Sequence, residues 1–251
     1  VTFELGVNAE SIGNPSGDTT VDVDLTGRSN SEQFNSLPLT LGQGPIEVQK
    51  SDTTFFFNTF FRGVQNATAQ DVVTVTEDLD ETEPQADQNA TVTADNVIIQ
   101  GSGSPAINTT GSGVDPVLNL TGSDNITIDG LTFEAGGNPR QAINTTSAAG
   151  GTRNTTISNN NFNGFSALTI NVTTDDTVGD DDTLNVTGNT FNNDAGGAIK
   201  LSTFGFGDSS DLAAIKSNDI TLASGGHTAI DVRGDTGLVI VDQGASTIDG
   251  V

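Results

Sequence analysis

A repeat of 29 residues, aligned without gaps, constrains this chain more than any other feature. Aliphatic residues recur at that interval, and so do the mostly aromatic residues five positions later: Ile128, Ile157, Val186 and Ile215, then Phe133, Phe162, Phe191 and Ile220. Around them, apolar residues alternate with Asn, Thr and Asp in short runs, which is the period of a half-buried strand. No helical pattern separates these runs. The chain is therefore predicted to be all-β, with coils of about 29 residues stacked into a parallel β-solenoid.

A fixed repeat length places like residues on top of one another. The aligned phenylalanines are therefore predicted to form one inward-facing column. Asn160, Asn189 and Asn218 each follow the aligned aliphatic residue by three positions. We expect them to form an asparagine ladder at a bend, because stacked side-chain amides can hydrogen-bond along the stack.

The segment that precedes the repeats carries a family resemblance. TFFFNTFFRGVQNATAQDVVTVTEDLDE, followed by NATVTADNVIIQGSG, resembles the entry to right-handed parallel β-helices of the pectin-lyase-like superfamily. The resemblance covers about residues 53–251 and implies a right-handed parallel β-helix whose N-terminal end is capped by an amphipathic helix over residues 54–66. Five apolar residues fall on roughly one face of that predicted helix: Phe56, Phe57, Phe60, Phe61 and Val64. Because this superfamily includes enzymes, phage tailspikes, adhesins and structural proteins, the resemblance implies a fold more than an activity.

Residues 1–52 lie outside the repeat register, although TVDVDLTG alternates as a strand does. We therefore divide the chain into an N-terminal β-rich segment, 1–52, and the β-helix, 53–251. No capping pattern follows the last repeats, where Ile248 and Val251 still alternate as in a strand. The N-terminal segment is expected to cover that end in a neighbouring subunit, which would give a homo-oligomer or polymer. The alternative is that the sequence ends inside a longer solenoid.

Charge excludes several classes of partner. Asp and Glu number 33 against 8 Lys and Arg, and the formal net charge is -25. Such a surface repels phosphate backbones, so no nucleic acid partner is expected. No apolar run approaches the ~20 residues that span a bilayer, so no membrane insertion is expected. Abundant Asp with few Lys is similar to the composition of proteins from halophilic microbes.

One group of side chains could carry catalysis. Lys200 and Asp231 follow Ile199 and Ile230, which occupy equivalent positions one coil apart. The remaining candidates, Arg233 and His227, lie close to Asp231 in the sequence: the group is His227, Asp231, Arg233 and Lys200. We interpret it as an exposed cross-strand ion pair of Lys200 with Asp231, beside a turn histidine, rather than as an acid/base site. The chain has no Trp or Tyr to stack on sugar rings, which grooves of carbohydrate-cleaving enzymes usually need.

An acidic loop is the one candidate for a metal site. The sequence TTDDTVGDDDT holds five carboxylates that could act as oxygen ligands for calcium: Asp175, Asp176, Asp180, Asp181 and Asp182. The pattern is not that of an EF-hand, and a solvated acidic loop is the favoured interpretation. No other cofactor is predicted.

Nine Asn-x-Thr triplets are candidate N-glycosylation sites: Asn66, Asn89, Asn108, Asn119, Asn125, Asn144, Asn154, Asn171 and Asn185. The strand period offers a second explanation, because outward positions of a solenoid favour Asn and Thr two residues apart. Both explanations predict that these asparagines face outward.

The sequence favours an extracellular or cell-surface protein with a structural or adhesive role, assembled head-to-tail into a filament or surface array, with glycans as possible partners. Two alternatives share the fold. One is a carbohydrate-active enzyme, either a polysaccharide lyase or a hydrolase. The other is a viral spike that binds glycans. The absence of a compact acid/base group in the sequence disfavours the enzyme.

Overall fold

The architecture was analysed in a computed structural model. It describes residues 19–22, 38–41, 44–80, 90–109, 116–120, 122–136, 141–145, 154–173, 183–194, 197–202, 212–223, 228–233, 238–242 and 248–249. Numbered along the chain, the first elements are β1 (Thr19–Asp22), β2 (Pro38–Leu41), β3 (Ile46–Lys50), β4 (Thr53–Phe57) and α1 (Phe60–Asn66). The strands that follow are β5 (Val72–Val75), β6 (Leu79–Asp80), β7 (Ala90–Val92), β8 (Ile98–Gly101), β9 (Ala106–Thr109), β10 (Leu118–Leu120), β11 (Thr127–Asp129), β12 (Thr132–Ala135), β13 (Ile143–Asn144), β14 (Thr155–Ser158), β15 (Asn161–Asn163), β16 (Ile170–Thr173), β17 (Thr183–Thr187), β18 (Thr190–Asp194), β19 (Ile199–Ser202), β20 (Leu212–Lys216), β21 (Asp219–Leu222), β22 (Ile230–Arg233), β23 (Leu238–Asp242) and β24 (Ile248–Asp249).

From β5 onward, strands join three sheets in strict rotation. Sheet 1 has the order β23-β20-β17-β14-β11-β8-β5-β3-β4, sheet 2 the order β24-β21-β18-β15-β12-β9-β6, and sheet 3 the order β22-β19-β16-β13-β10-β7. Strands from successive coils pair in parallel, and the central rungs pair residues 29 apart, as Ile128 with Ile157. The predicted all-β parallel solenoid with coils of about 29 residues is confirmed.

The phenylalanine column forms the centre of the core. Phe133 and Phe162 stack with ring centroids 5.3 Å apart, and Phe162 and Phe191 with centroids 5.0 Å apart. All three side chains are fully buried, and Ile220 continues their column. Stacking at the rung spacing removes each ring from water on both faces, so burial of this column is a large contribution to stability.

The asparagine ladder is also present, at the bend between sheets 1 and 2. Asn160, Asn189 and Asn218 are buried. Asn160 Nδ2 donates to Asn189 Oδ1 at 3.1 Å, and Asn189 Nδ2 donates to Asn218 Oδ1 at 3.0 Å. The same amides donate to strand carbonyls, as Asn189 Nδ2 does to Ile157 O at 2.9 Å. The ladder therefore satisfies backbone groups that the bend leaves without sheet partners.

Residues in two further columns have a positive φ, which is the left-handed backbone conformation. Neither column was predicted from the sequence. One precedes the ladder residues at 29-residue intervals: Gly130, Asn159, Gly188 and Ser217. The other precedes the strands of sheet 1: Asn96, Asn125 and Asn154. Gly and Asn populate this conformation more readily than other residues, so part of the Gly and Asn content is explained by turn geometry.

The predicted helix over residues 54–66 is wrong in its first half. Residues Thr53–Phe57 form β4, which pairs antiparallel with β3, and the helix α1 begins only at Phe60. Thr59 caps it by accepting a hydrogen bond from Arg62 N at 3.3 Å. The run TTFFF has strong strand propensity, and pairing with β3 outweighs the helical spacing of its phenylalanines.

Helix α1 covers the N-terminal end of the core as expected. Phe60 and Val64 are each 1% exposed, and the Phe60 ring meets Phe133 edge-on at 6.5 Å. A Cβ at Gly63 would collide with the Ile46 side chain, so only glycine allows the helix to lie this close to β3. Strand β3 precedes residue 53 and pairs antiparallel with β5, so sheet 1 extends into the segment 1–52.

A half-buried ion pair links β3 to the segment after α1 at this end. Lys50 Nζ lies 3.0 Å from Asp71 Oδ2, and the same oxygen accepts hydrogen bonds from Thr68 N at 2.6 Å and Thr68 Oγ1 at 2.9 Å. Lys50 Nζ also donates to Asn66 O, the last carbonyl of α1, at 2.6 Å. Burial raises the pKa of Asp71, but the hydrogen bonds from Thr68 and the Lys50 ammonium outweigh it, so the pKa lies below its ordinary value of 3.8.

We expect stability to depend on this carboxylate at acid pH. A depressed pKa stabilises the fold above the ordinary value of 3.8, and that contribution is lost as pH falls through the folded-state pKa. Asp71→Asn should cost about 1–3 kcal/mol at neutral pH and should flatten the acid limb of the stability curve. Urea unfolding of both proteins from neutral pH to about pH 2 measures this. Parallel acid limbs in the two proteins would contradict the assignment.

Removing a buried hydroxyl from the core is expected to raise the free energy of unfolding, whereas Asp71→Asn should lower it. Thr155 faces inward beside Leu184, is 1% exposed, and its Oγ1 has no hydrogen-bond partner among the described residues. Thr155→Val keeps the shape and removes the unsatisfied oxygen, so unfolding should become about 1–2 kcal/mol less favourable. Thr156→Val, on the outer face of the same strand, is the matched control and should change stability little. Destabilisation by Thr155→Val in urea unfolding would show that the hydroxyl is satisfied in solution.

Candidate functional site

The candidate catalytic residues lie at the C-terminal end of sheet 3. Lys200 and Asp231 are paired in register on adjacent strands, as predicted. The ion pair that the structure describes for Asp231 is with Arg233: Arg233 Nη2 lies 2.8 Å from Asp231 Oδ2, and Nε lies 3.0 Å from the same oxygen. His227 lies outside the described residues.

This geometry is that of a surface ion pair. The Arg233 side chain is 68% exposed and that of Asp231 26% exposed, so water screens the pair and its contribution to stability is small. Arg233 engages both carboxylate oxygens of Asp231, at 3.0 and 3.3 Å from Nε. That this group is an ion pair rather than an acid/base site stays a prediction.

The acidic loop of the calcium prediction, Asp175 to Asp182, lies outside the described residues. Within the part of the chain that the structure describes, no group of three or more His, Asp or Glu side chains is placed to hold a metal ion. The calcium site therefore also stays a prediction.

Most of the Asn-x-Thr asparagines are on the outer surface, but one is not. Asn144 is only 7% exposed, and its Oδ1 accepts a hydrogen bond from Asn171 Nδ2 at 2.9 Å. Asn144 shares the outward column of Asn119 and Asn171 in sheet 3, but it is not exposed to solvent. In sheet 3 the column Asn119, Asn144, Asn171 pairs rung on rung, and Asn171 Oδ1 is itself buried without a partner among the described residues.

Other members of the set already have structural roles. Asn125 and Asn154 occupy left-handed turn positions, with φ of 57° and 51°. Asn66 Nδ2 donates to Arg62 O at 2.8 Å, and Asn108 Nδ2 donates to Asp80 Oδ1 at 3.1 Å. Glycosylation modifies Nδ2, so the exposed Asn125 is the most accessible of these. Asn119 and Asn185 are half-buried, and Asn89 lies outside the described residues.

The strongest departure from an ordinary protein surface is at the C-terminal end of the solenoid. Val241 continues the buried column of Ile215 but is 50% exposed. Val232 continues the buried column of Leu201 and is 39% exposed. On the outer face of the same rung, Ile240 is 36% exposed. Among the described residues, no further strand of sheets 1 and 3 lies over these core-facing side chains.

The last described coil contributes an outer strand of sheet 1. Strand β23 is the last strand of that sheet at one end, and β4 is the last at the other. The N-terminal end differs because α1 covers its apolar cross-section, with Phe60 and Val64 buried.

Comparison of the chain with protein-family models, with curated proteins and with solved structures finds no match in any of the three. No helix within the described ranges is both long and apolar enough to cross a membrane.

Proposed function

We propose that this protein is a structural β-solenoid of the extracellular space or cell surface, and that copies join head-to-tail into a filament or array. The observation that carries the proposal is the regular stacking of the coils: the columns of Phe162 and Asn189 continue from rung to rung and are buried. Helix α1 closes the N-terminal end of the described core, with Phe60 and Val64 buried. A contact between unlike ends is heterologous, so repeating it gives an open chain of subunits.

The lateral surface supports a structural role. Outward positions of sheet 2 form a polar ladder in which Asn163 Nδ2 donates to Glu134 Oε1 at 2.7 Å and Asn192 Nδ2 donates to Asn163 Oδ1 at 2.9 Å. These amides bond along the stack axis and so stiffen the rod. We also propose that the solenoid is a right-handed β-helix similar to those of the pectin-lyase-like superfamily. Exposed asparagines such as Asn125 would carry N-linked glycans.

The net charge of -25 bears on both environment and assembly. Copies that carry this charge repel one another, and salt screens the repulsion over a Debye length of about 3 Å at 1 M. We propose that the protein works at high ionic strength, as proteins of halophilic microbes do. Assembly should therefore strengthen with salt, unlike a contact that depends on surface ion pairs.

Electron microscopy and sedimentation velocity of the purified protein test the proposal. Elongated particles are expected to lengthen with protein concentration and between about 0.1 and 2 M NaCl. The control is the same NaCl titration at a protein concentration too low for assembly. Salt should there change only the stability of the single subunit. Monomers at every concentration and salt level would reject the assembly and leave a glycan-binding or enzymatic role to be tested.

A further inference from the structure

We propose that Asn163 is a deamidation site that reacts only when its coil opens, and that the reaction makes this opening irreversible. Asn163–Gly164 is the only Asn-Gly pair in the chain. In an unfolded chain such a pair is the most reactive context for deamidation, because glycine has no Cβ to hinder attack by its backbone nitrogen. The pair lies at the end of β15, with Asn163 on the outer face of sheet 2.

The reaction needs only water. Gly164 N bonds to Asn163 Cγ and the Cγ–Nδ2 bond breaks, so the Gly164 proton leaves with the amide group as ammonia and a cyclic imide remains. Water then adds to one of the two imide carbonyl carbons, and the bond from that carbon to nitrogen breaks. The product is aspartate, or isoaspartate in which the main chain runs through the side-chain carbon. Either product carries a new carboxylate, whose proton goes to solvent.

The fold holds both reacting groups in place with three hydrogen bonds. The Gly164 N–H donates to Asn192 O on the next rung at 2.9 Å. Asn163 Nδ2 donates to Glu134 Oε1 at 2.7 Å, and Asn163 Oδ1 accepts from Asn192 Nδ2 at 2.9 Å. To bring Cγ to Gly164 N, the side chain must turn away from both neighbouring rungs. The nitrogen must also release the proton that it shares with Asn192 O.

Hydrogen bonding rather than burial provides this protection. Asn163 is only half-buried, so water reaches it in the folded protein. Strand β15 lies between β12 and β18, and opening of this coil separates parallel pairs on both sides. Deamidation of the native protein should therefore follow the small population of molecules in which the coil is open.

The products fit the outer ladder poorly. Aspartate at position 163 has no donor for Glu134, so two carboxylates would meet across the present 2.7 Å contact, in a protein whose net charge is already -25. Isoaspartate lengthens the main chain and moves the Gly164 N–H away from Asn192 O. A coil that has opened long enough to react therefore does not regain its former stability.

Peptide mapping by mass spectrometry tests the dependence on folding. The protein is incubated at one mildly alkaline pH, folded in concentrated NaCl or unfolded in guanidinium chloride, and conversion of Asn163 is followed with time. Conversion should be at least about tenfold slower in the folded protein. Gly164→Ala, compared in the unfolded chain only, should slow conversion there, as attack by this nitrogen requires. Equal rates in the folded and unfolded protein would overturn the inference.

A matched pair of variants tests the irreversible step. Asn163→Asp reproduces the aspartate product and should lower the urea midpoint by about 0.5 M at neutral pH. Adding Glu134→Gln should restore most of that loss, because the glutamine amide can donate to the new carboxylate. Asn161→Asp is the control: its oxygen already accepts from Asn192 Nδ2 at 3.0 Å, and it adds the same charge on the same strand. Equal midpoints for Asn163→Asp and Asn161→Asp would show that the product is tolerated and would reject this step.

Discussion

Replacing Phe162 by Ala should reduce the free energy of unfolding by about 3–5 kcal/mol. The ring is fully buried between Phe133 and Phe191, with centroids 5.3 and 5.0 Å away. It also contacts Phe165 edge-on at 6.5 Å. Neighbouring rungs are fixed at the strand spacing and cannot close the gap, so a cavity adds to the lost burial. Urea unfolding at constant high ionic strength measures the change.

Phe162→Leu is the control, because it keeps most of the volume and should cost only about 1–1.5 kcal/mol. A loss below about 1 kcal/mol for Phe162→Ala would show that the phenylalanine stack contributes little to the stability of the core in solution.

Replacing Asn189 by Ala should cost a similar amount, about 3–5 kcal/mol, for a different reason. The side chain donates to Ile157 O at 2.9 Å and to Asn218 Oδ1 at 3.0 Å, and its Oδ1 accepts from Asn160 N at 2.9 Å. It is 1% exposed, so water cannot replace these bonds. Truncation leaves several buried backbone and amide groups unsatisfied, and each has a desolvation cost.

Asn192→Ala provides the comparison on the outer face. Asn192 Nδ2 also donates two hydrogen bonds, to Asn161 and Asn163, but the side chain is only part-buried and solvent can replace them. Its loss should cost about 1 kcal/mol or less. Equal losses for Asn189→Ala and Asn192→Ala in urea unfolding would mean that the ladder is not shielded from water.

The sequence predicted what depends on the repeat itself. Because the 29-residue interval stacks equivalent positions, it identified the columns of Phe162 and Asn189. The pairing of Lys200 with Asp231 across adjacent strands followed instead from the equivalence of Ile199 and Ile230. Local periodicity was a poorer guide where tertiary contacts decide. Phe56 and Phe57 fit a helical face, but β3 lies alongside and recruits them into β4.

Burial of individual polar residues was not predictable from the strand period. The alternation marks Asn144 as outward, yet it is 7% exposed, and its Oδ1 accepts a hydrogen bond from Asn171 on the next rung. The ion pair of Asp231 was also not predictable from the strand period. Its partner is Arg233, two residues along the same strand, which reaches both carboxylate oxygens. The left-handed columns were missed although Gly130 and Gly188 recur at the repeat interval, a signal that turn preferences could have supplied.

The direction of the strand repeat in the assembled protein tests the central claim most directly. If copies join end to end along the solenoid axis, the strands of every copy lie across the long axis of the particle and repeat along it every 4.8 Å or so. Electron cryo-microscopy of particles grown at high salt measures this repeat and its direction. A strand repeat of about 4.8 Å along the long axis of the particle is the expected result. Side-by-side packing of separate solenoids, with the strand repeat across the long axis of the particle, would contradict it.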